Sequence, residues 1–312
     1  MINFRFHVIS LIAVFLALAV GVVMGYGVLG QPTVDTLQGR VDTVEARADA
    51  IRAENGELRA DRARLEAIVE DVDEFAATHR LSGSTAVPVA VRGVDEDRVD
   101  QAVRLARRAD AVVPGVVWLE PKWGIEREED AAALARIVNT TATSRNAVRE
   151  TAARALAARL AGGPAVAGRP DLLAELEAAG FVSTEEVDGV QFDAADFDGR
   201  GGKVLLVGGN RAELEPSRGV LPLARALATA GTPVVVADDW HAVDGGPARG
   251  AGLAAIRDDD ALAEQIATVD NLDAVEGPLT AVLVLGERGQ GTIGHYGSGK
   301  GAGQAMPAWW IV

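Results

Sequence analysis

Between Arg5 and Asp35 the chain carries no formal charge once His7 is taken as neutral, and nearly every side chain from Val8 to Met24 is apolar. A helix rises about 1.5 Å per residue, so the run from Phe4 to Gly30 can cross a hydrocarbon layer of roughly 30 Å. One isolated segment can cross only as a helix, because lipid offers its backbone no hydrogen bonds. Two other readings compete. A cleaved secretory signal has a shorter apolar core and a small-x-small cut site. Here the nearest small residues, Gly25 and Gly27, sit in Met24-Gly25-Tyr26-Gly27 without that pattern. A buried helix of a soluble core rarely stays uncharged for so long. The run therefore reads as a retained transmembrane anchor over residues 1–31. Arg5, His7 and the amino terminus precede it, and Asp35 is the first charge after it. The positive-inside rule then keeps the N-terminus cytoplasmic, with a single pass through the cell membrane and the bulk of the chain outside. Ala13, Ala17, Gly21 and Gly25 recur at four-residue spacing, a stripe on which two backbones can approach closely.

A second period follows the Gln31-Pro32 break. Val34, Val41, Ala48, Asn55, Arg62 and Val69 take the a positions of a heptad, and Leu37, Val44, Ile51, Leu58, Leu65 and Val72 the d positions. A lone amphipathic helix drifts off a strict seven-residue repeat over this distance, so the pattern favours a supercoil. Every d residue is aliphatic, and Asn55 at an a position fixes register at some cost in stability. The flanking charges are mixed. In a parallel pair Arg40 meets Glu45 and Glu54 meets Arg59, whereas Arg47 meets Arg52 and Asp61 meets Glu66. Such exposed pairs weigh only tenths of a kcal/mol, so the d layer decides. The expectation is a coiled-coil stalk over residues 32–80 joining a parallel homodimer, with Ile51, Asn55 and Leu58 at its seam. A helix folded back on the globular part would also satisfy the heptads.

The pattern changes at Leu81-Ser82-Gly83-Ser84, and residues 84–312 alternate short Val- and Leu-rich strands with helices. Strands are expected at Val87–Val91, Val112–Leu119, Lys203–Gly208, Thr232–Ala237 and Leu279–Leu285. Helices are expected at Asp95–Ala109, Glu128–Val138, Arg145–Ala161, Pro170–Ala179, Val220–Ala230 and Asp260–Ala267, with a further apolar piece at Leu253–Ile256. Such alternation implies an α/β domain with a Rossmann-like parallel sheet covered by helices. The chain has no Cys, so an exported domain has no disulfides to lean on. A net charge of -15 argues against nucleic-acid binding and against lying flat on an anionic membrane.

The chemistry-bearing motifs are sparse. Gly294-His295-Tyr296-Gly297-Ser298-Gly299-Lys300-Gly301 nearly spells a phosphate-binding loop. Gly301 stands where Ser or Thr should ligate magnesium, and no long helix-forming segment follows, so the run reads as a glycine-rich turn. Asp238-Asp239-Trp240-His241 follows a strand, where open α/β sheets collect ligands. Asp238, Asp239, His241 and the distant His295 are candidate metal ligands; the competing reading is a solvated, capping loop. No G-x-S-x-G elbow, H-E-x-x-H helix or dinucleotide fingerprint is present, so the residues make no case for an enzyme. No cofactor is evident. Soft copper(I) prefers sulfur, and beyond the initiator only Met24 and Met306 offer it.

Phe4 to Gly21, Thr268-Val269-Asp270-Asn271-Leu272-Asp273 and Ile293 to Gly299 together resemble the actinobacterial MctB-like copper transport proteins. The order of anchor, stalk and α/β domain also matches, so the resemblance covers nearly the whole chain. It implies copper homeostasis in the cell envelope, and copper as the ion concerned. It supplies no catalytic or copper-ligating residues. The residues alone favour a second reading, a non-enzymatic dimeric scaffold for an envelope or division partner, and resemblance to a corynebacterial member implies cell-wall control at division as its setting. A third is small-ligand binding at the sheet edge near Asp238 and Gly208.

Overall fold

In the computed structural model, which describes residues 4–29, 31–162, 170–186 and 202–308, the chain divides into two compact units, Met1–Arg64 and Leu65–Val312. The first holds α1 (Phe4–Leu29) and most of α2 (Gln31–Ala77). Within Phe4–Gly25 of α1 an 18-residue stretch reaches a mean hydropathy of 2.8, and none of it is buried. The 22 residues of Phe4–Gly25 extend about 33 Å at the helical rise. Ala17, Gly21 and Gly25 are exposed, and a Cβ on either glycine would meet nothing within 4 Å. On α2, Ile51 and Leu58 are 57% and 60% exposed. Asn55 between them bonds back through Nδ2 to the Ile51 carbonyl at 2.8 Å. The d residues Leu37, Val44, Ile51, Leu58 and Leu65 thus form an uncovered apolar face, whereas Val72 packs on a core of the second unit. Outside these two helices the exposed large apolar side chains of the described residues are Val112 and Val243.

The second unit is built on a seven-stranded sheet. β1 (Thr85–Val91), β2 (Val116–Leu119), β3 (Val182–Glu185), β4 (Gly202–Gly209), β5 (Val234–Asp239), β6 (Ala267–Val269) and β7 (His295–Tyr296) lie in the order β3-β2-β1-β4-β5-β6-β7. All neighbours run parallel except β2 and β3. Chain order reverses between β1 and β4, as in a Rossmann-like sheet. The strands inside the two edges are buried on both faces, and alternation decides which core each residue joins. Val234 and Val236 pack with Leu156 of α5 (Arg145–Gly162) and Leu227 of α7 (Val220–Thr229). Val235 and Ala237 pack with Val103 of α3 (Glu96–Arg108) and Val282 of α10 (Gly277–Arg288). Ala76 and Ala77, at the end of α2, join that second core. Its last turns therefore belong to the α/β unit.

Most expected elements form where the periodicity places them. α3 starts at Asp95, whose side chain accepts from the Asp97 N–H, and ends on Arg107 and Arg108, favourable ends for the helix dipole. α4 (Glu128–Ile137) and α6 (Leu172–Ala178) also form, and Gly231 closes α7 at φ +73°. Four expectations are corrected. The strand expected over Val112–Leu119 is only β2 (Val116–Leu119), with Val112 in an isolated bridge to Thr85. Leu279–Leu285 is no strand but the middle of α10. Gly277 to Gly286 are all buried, so no polar face reveals the helical period. Pro278 in its first turn was the usable signal. The helix expected over Asp260–Ala267 is only α9 (Asp260–Ala263), preceded by α8 (Ala254–Arg257); Ala267 opens β6. The glycine-rich tail, expected as a turn, also supplies edge strand β7.

The antiparallel edge is pinned by Arg92. Its guanidinium lies 4.3 Å over the Trp118 ring and donates to Glu120 and Glu185, each at 3.1 Å. Trp118 Nε1 donates to the other Glu185 oxygen at 2.7 Å.

Candidate functional site at the carboxyl edge of the sheet

β5 and β6 pair with Ala237 opposite Val269. One residue on, Asp238 and Asp270 therefore stand side by side on the same face, and Asp239 turns to the other. All three are buried. Charge of one sign has been gathered at the strand ends, where α/β sheets take ligands.

Asp270 is fully satisfied. Its Oδ1 accepts the backbone N–H groups of Ser298 at 2.8 Å and Gly299 at 3.0 Å. Its Oδ2 accepts Arg257 Nη1 at 2.6 Å, in a pair whose side chains are 2% and 0% exposed. Arg257 leaves no nitrogen idle: Nε donates to Thr268 Oγ1 at 2.8 Å and Nη2 to the Tyr296 carbonyl at 2.9 Å. Gly297, at φ +123°, permits the wrap, since a Cβ there would collide with Asp270 Oδ1. The loop that resembles a phosphate cradle is thus a backbone nest around an internal carboxylate. A second arginine braces the same turn. Arg249 grips Asp273 through both carboxylate oxygens, at 2.6 and 2.8 Å, and donates to the Asp270 carbonyl at 3.0 Å.

Asp238 has none of this. It is 5% exposed, and its carboxylate accepts no hydrogen bond from the described residues. Burial first, then the charges of Asp270, Asp239 and Asp273, push its pKa up to about 6, with Arg257 opposing. Gly252 makes room for it, because a Cβ there would stand 3.1 Å from Oδ1. The carboxyl lines a cavity of about 350 Å³ with Asn210, Glu215 and Trp240. The cavity is well framed. Asn210 bridges the loops after β4 and β5, donating to the His241 carbonyl at 2.7 Å and accepting the His241 N–H at 2.9 Å. Trp240 Nε1 donates to the Pro247 carbonyl at 2.9 Å, and Arg249 lies 4.5 Å over its ring. Such a site can hold a proton near pH 6, or accept hydrogen bonds from a ligand that displaces it.

The four candidate metal ligands are not brought together. Asp239 and His241 touch, with Nε2 3.1 Å from Oδ2, and that oxygen also accepts the Asp95 N–H at 2.8 Å. Asp239 Oδ1 is buried without a partner among the described residues. Asp238 faces the opposite side of the sheet, as the pleat requires. His295 sits on β7 with Nδ1 2.8 Å from Thr268 Oγ1. Burial, then the charge of Arg257, hold it below the usual imidazole range. Among the described residues no group of three or more His, Asp and Glu side chains is arranged to hold a metal ion. The sequence reading missed Asn210, Arg249 and Arg257, and gave Asp270 and Asp273 no role. Arg249 sits in a Gly- and Pro-rich stretch and Arg257 ends α8, and no local sequence pattern marks either as the partner of a distant carboxylate.

Residues 1–307 match the family described as "Copper transport outer membrane protein, MctB". "Copper transporter MctB" of Mycobacterium leprae is 32% identical, over 97% of this chain and 98% of that protein. Its namesake in Mycobacterium tuberculosis H37Rv is 28% identical over the same shares. Both ends of the fold, the apolar first helix and the clasp around Asp270, fall inside these alignments, and the chain belongs to the MctB family.

Proposed function

We propose that this chain is a non-enzymatic copper-homeostasis protein, held in the cell membrane by α1 with its N-terminus cytoplasmic and its α/β unit outside. The single observation carrying this reading is the whole-length family match to relatives named copper transporters. It favours copper handling over the cell-wall scaffold. The anchor is supported by the long, unburied and mostly apolar span Phe4–Gly25, and the orientation by Arg5 at its start and Asp35 after it. Copper is the cargo; no step is assigned to a named residue. The uncovered d face of α2 supports pairing with a second copy in parallel, since both copies would leave the same membrane face.

Deleting the protein is expected to sensitise cells to copper, and the full chain, but not one lacking residues 1–29, to restore tolerance. Unchanged tolerance together with unchanged cellular copper would overturn the copper reading. Membrane fractionation and protease accessibility in intact cells test placement; recovery in the outer-membrane fraction would refute the proposed cell-membrane anchor. Ile51→Asp with Leu58→Asp is expected to abolish crosslinked dimers, and normal crosslinking of that variant would refute the pairing.

A further inference from the structure

A second cavity, of about 580 Å³, lies between α5 and α7, and its chemistry is the reverse of the first. Arg149, Arg154, Arg218 and Arg225 line it, against Glu150 as the one carboxylate. This occurs on a protein of net charge -15. Arg149 is only 8% exposed and makes no ion pair among the described residues. Its Nη1 donates to the Asn146 amide oxygen at 3.0 Å and its Nη2 to the Gly124 carbonyl at 2.9 Å. Both partners are neutral, and Nε is buried with no partner among the described residues. Burial and then the charge of Arg218 disfavour its charged form. Arg218 itself is held by Glu126 at 2.9 Å, and Arg154 bonds to Thr151 Oγ1 at 2.9 Å. A buried guanidinium without a counter-charge, facing a second guanidinium, costs stability unless something anionic shares the site.

We propose that this cavity binds a phosphate-bearing small molecule, with Arg149 as the buried anchor and Arg154, Arg218 and Arg225 closing around its oxyanion. Planar guanidinium forks match the oxygen geometry of phosphate, and several can converge on one group. The volume exceeds what a bare phosphate fills, and Pro222 and Ala226 give an organic moiety an apolar surface. A free phosphomonoester and a lipid headgroup share this chemistry.

The test uses the full chain. In detergent, it is titrated with inorganic phosphate and with glycerol phosphate, reading heat and thermal unfolding; in nanodiscs, phosphatidic acid is added. Saturable binding of the soluble phosphates assigns a free ligand, and a response that needs phosphatidic acid assigns a headgroup. Arg149→Lys keeps the charge but loses the fork, and is expected to weaken binding at least tenfold. Should that variant fold poorly, Arg225→Gln with Arg154→Gln, both away from the core, is expected to weaken it by a similar factor. A response no larger than that to chloride at equal ionic strength in both formats overturns the proposal, as does an unchanged affinity in the double variant.

Discussion

Asp238 and Asp270 are neighbours on adjacent strands, share one face and are both buried, yet their surroundings differ completely. Asp270 is enclosed by one arginine and two backbone amides, so its charge is met wherever it points. Asp238 looks into a cavity and receives no hydrogen bond from the described residues. A carboxylate that has been paired holds a fold together; one left bare weakens the fold and is available to something else.

The comparison can be broken first at Asp270. Asp270→Asn strands Arg257 without its counter-charge and is expected to cost about 3–5 kcal/mol, read as a lower denaturant midpoint. A loss under about 1 kcal/mol would mean that the clasp does not hold the edge. Gly297→Ala attacks the same clasp from the backbone. Its Cβ would meet Asp270 Oδ1 in a conformation L-residues avoid, so about 3 kcal/mol should be lost.

Asp238→Asn should move the other way. The folded carboxyl titrates at about 6, above the ordinary value of about 3.9, so the folded chain binds more protons than the unfolded one between those limits. Stability therefore falls as pH rises from about 4 to 6, and Asp238→Asn should recover about 2–3 kcal/mol at pH 7.5 and almost nothing at pH 4. A loss of stability at pH 7.5 would show that the carboxylate is paired after all. The smallest effect is expected from Arg249→Lys. It loses the two-pronged grip on Asp273 and the stack on Trp240, for about 1 kcal/mol, mainly as looser loops around the cavity.

What the sequence could and could not reveal follows from the reach of its signals. β1, β4 and β5 were legible because short Val- and Leu-rich runs are bounded by turns, and α3, α5 and α7 because one face is polar. α10 was not, since burial on every side erases the period that distinguishes helix from strand. Asp238 and Asp239 read alike in sequence, and only the pleat sends them to opposite cores. The Asp270 clasp joins residues 28 positions apart, and no local pattern encodes that meeting. Two of the fragments that carry the family resemblance, Thr268–Asp273 and Ile293–Gly299, meet in that clasp. The arginine cavity was equally hidden, because its residues are scattered over α5, α7 and the turn before α7, whose packing no periodicity states.

The clasp also sets a timetable. A ribosome releases Asp270 well before Ser298 and Gly299, the residues whose amides quiet it. Until they emerge, β6 lacks β7 on its outer side and ends in a charge without its full shell. Closure of this border therefore waits on residues 28 and 29 positions downstream, and a chain halted before Ser298 would leave the Asp270 carboxylate to Arg257 without the two amides that complete its shell.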